Sequence, residues 1–396
     1  MGIYPIITRI YTPEAFGNFT WFTSASAILT IFATGKYESA IILPKSDNKA
    51  ISLFQLCIII NILFFLFLSI ILFLFGEKIA DLFNKEVTMF YLLPVCVLFT
   101  GIWQAMNYLF IRGKKYKKIS SYNITQSIAN SLSKCLLGIK NYVQYGLIWG
   151  TIIGKVIAVI IQVISGKTFF KGVEKINKEK IKQVSISYSN FPKFILPQSL
   201  LILLAGNLPI LFFAAYFDAT EFGLFSLAFT TGAFSVNLFS ESFYQVLYKK
   251  MSEKYHKKEK LMTIFSFFMK INAVILILFV LFFLISEEVY AFIFGQEWMK
   301  SGMYMKLMLF WMFLYMITAS LVFIPDIFMK QKTAMKIEIL HIFLVILSLI
   351  SGYYLKDFYL AIILYFSVAT FIRIVKLVWY LSVIRQYDVK LQKSEI

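Results

Sequence analysis

The sequence predicts an all-α polytopic membrane protein of about 12 transmembrane helices, the first one truncated, in two six-helix lobes. Three observations lead there. Of 396 residues, 59% are hydrophobic and 15% charged, with mean hydropathy +0.75, far more apolar than a soluble domain of this length. The apolar residues fall into runs of about 20, the length that crosses a hydrocarbon core as a helix. The loops between the runs alternate in charge. One kind is rich in Lys: 112–118, Gly166 to Lys182, Tyr248 to Lys260, Lys330 to Lys336 and the tail from Arg385. The other is short and neutral or acidic: 12–17, 76–86, Asn141, 218–223, 286–300 and 356–357. Soluble proteins have no reason to alternate in this way, whereas a multi-span membrane protein retains Lys and Arg on its cytoplasmic side.

The expected spans are 17–43, 51–75, 88–111, 119–139, 142–165, 191–216, 221–247, 262–285, 304–324, 337–355 and 358–384. The apolar stretch 1–11 is a partial span, and its ten residues Met1–Ile10 cover about half a hydrocarbon core, like the second half of a helix. Through all of them the charge alternation holds its register, which places every Lys-rich loop and the C-terminus in the cytoplasm. No cleavable signal pattern is present.

The polar connection 166–190 divides the chain into an N-terminal lobe, 1–165, and a C-terminal lobe, 191–384, with a cytoplasmic tail, 385–396. The lobes echo each other. A Pro-bearing span (Pro5) leads into Tyr11-Thr12-Pro13-Glu14-Ala15-Phe16-Gly17-Asn18-Phe19. A second (Pro192, Pro197, Pro209) leads into Phe217-Asp218-Ala219-Thr220-Glu221-Phe222-Gly223-Leu224-Phe225. Phe-Gly-x-Phe thus recurs 206 positions apart on the same membrane face. Lobes offset by six spans share one orientation, related by a pseudo-twofold axis along the membrane normal, which is a transporter arrangement with the substrate path between them.

Other classes are excluded. The net charge of +18 is spread over loops as topology requires, so nucleic acid is not the partner; anionic lipid headgroups suit it better. Cys57, Cys96 and Cys135 lack metal or redox spacing and read as small buried residues. There is no phosphate-binding Gly-rich loop with Lys-Ser/Thr, no assembled set around His256 or His341, and no cofactor is expected.

Charges inside spans carry the functional signal, because a central Lys or Arg costs roughly 2.5–3.5 kcal/mol on insertion scales. Lys155 and Arg373 lie near the middles of their spans and are the strongest candidates to line a polar path. Lys36 lies toward the cytoplasmic end, where Glu38 offers a partner. Lys134 and Arg9 lie toward outer ends, where snorkelling competes. Lys193, Lys270 and Lys306 read as interfacial. The acids Glu38, Glu241 and Glu338 lie toward the cytoplasmic ends. A cation-lined cavity suits a phosphate or diphosphate, whereas proton-driven export calls for a central carboxylate. Amides such as Asn123, Gln126, Asn207 and Asn237 suit sugar hydroxyls; helix–helix hydrogen bonding competes for each.

The stretch Pro5-Ile-Ile-Thr-Arg9-Ile-Tyr11-Thr-Pro13-Glu14-Ala-Phe16-Gly17 resembles the opening signature of the Wzx-type polysaccharide flippases, in the polysaccharide transport branch of the multidrug/oligosaccharidyl-lipid/polysaccharide (MOP) exporter superfamily. Lys36-Tyr37-Glu38-Ser-Ala-Ile-Ile-Leu-Pro44 is similar to that family's end of helix two, and Asn190-Phe191-Pro192-Lys-Phe-Ile-Leu-Pro197 to its start of helix seven. Phe294-Gly295-Gln-Glu-Trp298 and Gln331-Lys332 fit later loops. The resemblance implies two six-helix lobes with cytoplasmic termini in a bacterial inner membrane, and no enzyme activity. It also implies translocation of undecaprenyl-diphosphate-linked oligosaccharide, of O-antigen or capsule type, to the periplasmic leaflet. Lipopolysaccharide biosynthesis and other polysaccharide-assembly proteins are its implied setting. By it Arg9 and Lys36 gain weight as cavity residues, whereas Lys155 and Arg373 rest on depth alone. Family members carry about half a helix more at the N-terminus. The rivals are an ion-coupled small-molecule exporter of the same superfamily and a membrane polysaccharide polymerase or glycosyltransferase; the latter usually carries a sizeable non-membrane segment, which is not seen in this sequence.

Overall fold

A computed structural model describes residues 2–166 and 177–394; the middle of the expected basic connection, 167–176, lies outside the described residues. All regular structure among them is helical. The chain runs α1 (Tyr4–Ile7), α2 (Pro13–Ala33), a 3₁₀ turn (Tyr37–Ile42), α3 (Asp47–Leu82), α4 (Val87–Arg112), α5 (Tyr116–Ile139) and α6 (Gly146–Gly166). It continues with α7 (Lys178–Ser187), a π turn (Phe191–Ile195), α8 (Leu196–Tyr216), α9 (Ala219–His256), α10 (Met262–Phe294) and a second 3₁₀ turn (Gln296–Trp298). The last four are α11 (Met299–Ser320), α12 (Ile324–Ile327), α13 (Gln331–Leu355) and α14 (Phe358–Ser394).

Local chemistry explains the starts. Thr12 caps α2, its hydroxyl accepting from the Ala15 N–H at 3.3 Å, with Pro13 and Glu14 in the first turn; Pro has no N–H to lose there and Glu complements the dipole. At the matching place in the other repeat Asp218 caps α9, its Oδ1 accepting from the Thr220 and Glu221 N–H groups at 2.9 Å. The internal echo is therefore a repeat of helix-starting chemistry.

Among the described residues, eight helices are long and apolar enough to cross a membrane: α3, α4, α6, α9, α10, the α11–α12 stretch, α13 and α14. The bent pair Phe191–Leu204 and Gly206–Tyr216 makes a ninth if taken as one span. α2 and α5 are also long, at 21 and 24 residues, but carry more Ser, Thr, Asn and Gln.

Several helices overrun the expected spans. α3 continues through the expected loop to Leu82, α9 to His256 and α10 to Phe294, while the expected tail from Arg385 continues α14 to Ser394. Apolar content marks where the solvent changes, whereas Lys and Glu are good helix formers and carry a helix on into water. The opposite correction applies to 17–43. α2 stops at Ala33, because Gly35 and Lys36 adopt φ +59° and +64° and turn the chain into the 3₁₀ segment.

The described chain forms two compact units, residues 2–223 and 224–396. In the first, the Lys-rich loops gather at one end. Arg112 donates to Asp47 (2.8 Å) and to the Pro44 carbonyl (2.6 Å), and Tyr37 donates to the Ser185 carbonyl. The neutral loops gather at the other end, where Asn84 donates to the Ala215 carbonyl and Lys85 to Asn18. Trp21 is fully buried against Phe90 and Phe83, ring centroids 4.9 and 5.8 Å away, contacts worth about 0.5–1.5 kcal/mol each. In the second unit the Lys-rich segments also share an end: Asp388 accepts from the Leu261 and Met262 N–H groups, and Tyr387 donates to the Tyr255 carbonyl.

Candidate functional site

In the first unit, close helix packing creates a polar cluster. α6 carries Gly146, Gly150 and Gly154 at every fourth position, a small-residue stripe that lets membrane helices approach. A Cβ on Gly154 would lie 2.8 Å from the Asn130 backbone, and one on Gly150 would lie 2.8 Å from the Lys134 backbone nitrogen. The stripe therefore draws α5 onto α6 and sets Lys134 beside Lys155, one residue past Gly154.

Lys155 donates to the Thr100 hydroxyl of α4 at 2.5 Å and reaches the Cys96 sulfur at 3.5 Å. Neither partner neutralises its charge. Lys134 is buried, with its ammonium 4.1 Å from the Phe19 ring centroid on α2, a cation–π contact that partly replaces lost hydration. The Thr151 hydroxyl sits 3.5 Å from Asn130 Oδ1, and Gln162 donates to Asn107 at 2.9 Å, so polar groups continue along the α4–α5–α6 faces. No carboxylate pairs with either lysine among the described residues.

In the second unit, Arg373 of α14 stacks on Tyr315 of α11, its guanidinium carbon 4.7 Å from the ring centroid. The Tyr315 hydroxyl donates to Asn237 of α9 at 3.2 Å, so two of the sequence candidates, Arg373 and Asn237, meet through one tyrosine. Trp311 stacks on Tyr315 and on Phe229, extending an aromatic wall. Arg373 Nε is buried without a hydrogen-bond partner, an N–H left available to an anion. One turn along α14, Lys376 is paired with Glu338, which also meets His341 at 3.3 Å.

The other candidates separate from these clusters. Lys36 sits in the turn after α2, 3.7 Å from the buried carboxylate of Glu38, which Thr34 also hydrogen-bonds. Arg9 is exposed beyond α1. Asn123 is exposed, Gln126 half-buried, and Asn207 donates to its own helix at Leu203. Lys306 pairs with Glu287 at 2.6 Å. Sequence reading missed Thr100 and Tyr315, which hold the two strongest cations. The Gly stripe of α6 was a legible signal for the first cluster; nothing in periodicity pointed to Tyr315.

At the neutral-loop end, burial holds Lys85 below its ordinary 10.5, with Glu14 and Asp218 pulling the other way.

The chain is similar to an inward-facing multidrug resistance transporter of the MATE family in the MOP superfamily (TM-score 0.70, 11% identity, 100% of this chain and 96% of that one). It is also similar to the lipid II flippase MurJ in an inward closed conformation (0.68, 14%, 99% and 88%), and to the Vibrio cholerae MATE transporter VcmN (0.52, 12%, 98% and 98%). No curated protein sequence matches. The chain belongs to the polysaccharide biosynthesis protein family, whose model matches residues 6–302, in line with the Wzx-type resemblance of its opening motif.

Proposed function

We propose that this protein is a flippase that moves undecaprenyl-diphosphate-linked oligosaccharide repeat units, of O-antigen or capsule type, from the cytoplasmic to the periplasmic leaflet of a bacterial inner membrane. The observation that carries the reading is a family match spanning residues 6–302 in a chain whose spans hold unneutralised cations. Lys155 is hydrogen-bonded only to neutral groups and Arg373 keeps a buried N–H without a partner. The likeness to the lipid II flippase supports a lipid-linked substrate.

In this mechanism two six-helix lobes, joined in sequence by the 166–190 connection, alternate the access of a polar path to either side of the membrane, with the C-terminus in the cytoplasm. Lys155 and Lys134 of the first unit take the diphosphate, since multiply charged oxygens reward clustered donors, and Arg373 of the second unit offers its N–H to an acidic sugar. Asn237, held by Tyr315, offers its amide to the glycan, and the isoprenoid tail stays in membrane lipid. No covalent step is needed. The likeness to MATE transporters favours an ion-coupled small-molecule exporter as the second reading.

The test replaces Lys155 and Arg373 with Ala in a glycan-producing host lacking its own flippase. Wild-type protein restores surface glycan on its matched repeat unit, and the double variant does not at equal expression. Undiminished glycan overturns the cation assignment, and failure of the wild type overturns the flippase reading.

A further inference from the structure

We propose a binding site for an anionic diacyl phospholipid in the groove between α10 and α14, at the Lys-rich end of the second unit. The groove has a volume of about 760 Å³ and is lined by Lys260, Lys270 and Arg385 together with Phe265, Met269 and Leu381. Both helices are apolar over their spans, and α10 leaves most of its span unburied, as a lipid-facing helix does. From Met262 to Ala273 the groove follows α10 for roughly 16 Å at helical rise, about half of a hydrocarbon core. That is the depth one acyl chain occupies.

The charge is one-sided. Asp388, the acid on the lining, accepts from the Leu261 and Met262 N–H groups with its two carboxylate oxygens, so it closes the start of α10. Among the described residues no ion pair engages Lys260, Lys270 or Arg385. Lys270, deeper along α10, is long enough to lift its ammonium toward the headgroup level.

The shape favours two tails over one. A second groove of about 590 Å³ lies on the other side of the α14 ridge, and Leu381, Arg385 and Val389 border both. A phosphate on Arg385 places one acyl chain on each side of that ridge, a fit that a single polyprenyl chain leaves half empty. Lys390 borders the second groove and adds to the positive rim. This site does not depend on the flippase reading.

Native mass spectrometry of the purified full chain, titrated with phosphatidylglycerol or phosphatidylcholine, tests the proposal. Phosphatidylglycerol is retained in preference to phosphatidylcholine, and Arg385→Gln lowers its affinity about fivefold, the effect of one cation near a lipid surface. The triple variant Lys260→Gln/Lys270→Gln/Arg385→Gln lowers it more than tenfold. Lys114→Gln/Lys117→Gln/Lys118→Gln, which removes equal charge in the other unit, changes it less than twofold. All three side chains of the site are exposed, so Arg385→Gln leaves the melting temperature unchanged. Equal loss in the control triple variant, or none in Arg385→Gln, overturns the site. Displacement of phosphatidylglycerol by a lower concentration of undecaprenyl phosphate, or by millimolar inorganic phosphate, overturns the diacyl lipid as its occupant.

Discussion

Gly17 and Gly223 pack against each other where the starts of α2 and α9 cross. A Cβ on Gly17 would lie 3.1 Å from the Gly223 Cα and 2.9 Å from the Ala219 carbonyl oxygen, and one on Gly223 would lie 1.7 Å from the Pro13 carbonyl oxygen. The contact is reciprocal. Pro13 and Ala219 occupy equivalent positions in the two repeats, as do Gly17 and Gly223. The repeated Phe-Gly-x-Phe motif is thus explained by sterics, since each copy supplies the glycine that its counterpart needs.

Gly223→Ala should be severe although Ala favours a helix over Gly by about 1 kcal/mol. No atom fits 1.7 Å from a carbonyl oxygen, so the two helix starts must separate, at a cost of about 3 kcal/mol or more. Gly17→Ala should cost less, about 1–2 kcal/mol. Thermal unfolding followed by size-exclusion in detergent ranks the two; an unchanged Gly223→Ala protein contradicts the packing.

The Arg373–Tyr315 stack predicts that Arg373→Lys is not conservative. Lys keeps the charge but lacks the planar fork, so on the proposed flippase reading losing a stack worth about 1 kcal/mol lowers glycan export roughly fivefold. Tyr315→Phe keeps the ring and removes the bond to Asn237, so export falls less than with Arg373→Lys. Quantified surface glycan at matched expression decides the order.

Arg112 donates to Asp47 and to the carbonyls of Ile41, Ile42, Pro44 and Lys45, closing the exit of the 3₁₀ segment Tyr37–Ile42. Arg112→Ala should destabilise the first unit by about 1.5–3 kcal/mol, the worth of hydrogen bonds to a charged group. Arg112→Lys should rescue less than half, because one ammonium cannot span the same acceptors. A melting series of the three proteins measures this.

Lys85 gives a pH dependence of known sign. Its folded pKa is lowered from 10.5, so below that folded value the ammonium penalises the folded state in full. As pH rises from the lowered value toward 10.5 the folded state sheds its proton first, and stability rises relative to a variant without the group. The melting temperature of wild type minus that of Lys85→Gln should therefore increase between neutral pH and pH 10.5. A flat or falling difference rejects the buried environment of Lys85.

How much was legible follows from which forces are local. Hydropathy, as from Phe268 to Ile285, acts within one segment and located most helices; the caps at Thr12 and Asp218 are as local, yet 12–17 and 218–223 read as loops and not as helix starts. The end of α2 was not legible, because the left-handed turn at Gly35 and Lys36 leaves the run to Leu43 as apolar as before. The reach of α3 to Leu82 was not legible either, since polarity after Gly76 reports solvent and not the end of a helix. Depth in a span singled out Lys155 and Arg373, but could not say that a threonine and a tyrosine would meet them.

By itself the sequence determined the membrane class, the alternation of Lys-rich and neutral loops, the repeat and which cations fall within apolar runs. Each is a partition or capping free energy summed over neighbouring residues. Tertiary structure alone decided which cations cluster. Lys134 joins Lys155 because Gly150 and Gly154 let α5 and α6 close up, Arg373 meets Asn237 through Tyr315, Lys36 is held by Glu38, and Arg9 is left exposed. The first two of those pairings join segments tens to more than a hundred positions apart, and side-chain shape across the gap between helices selects them.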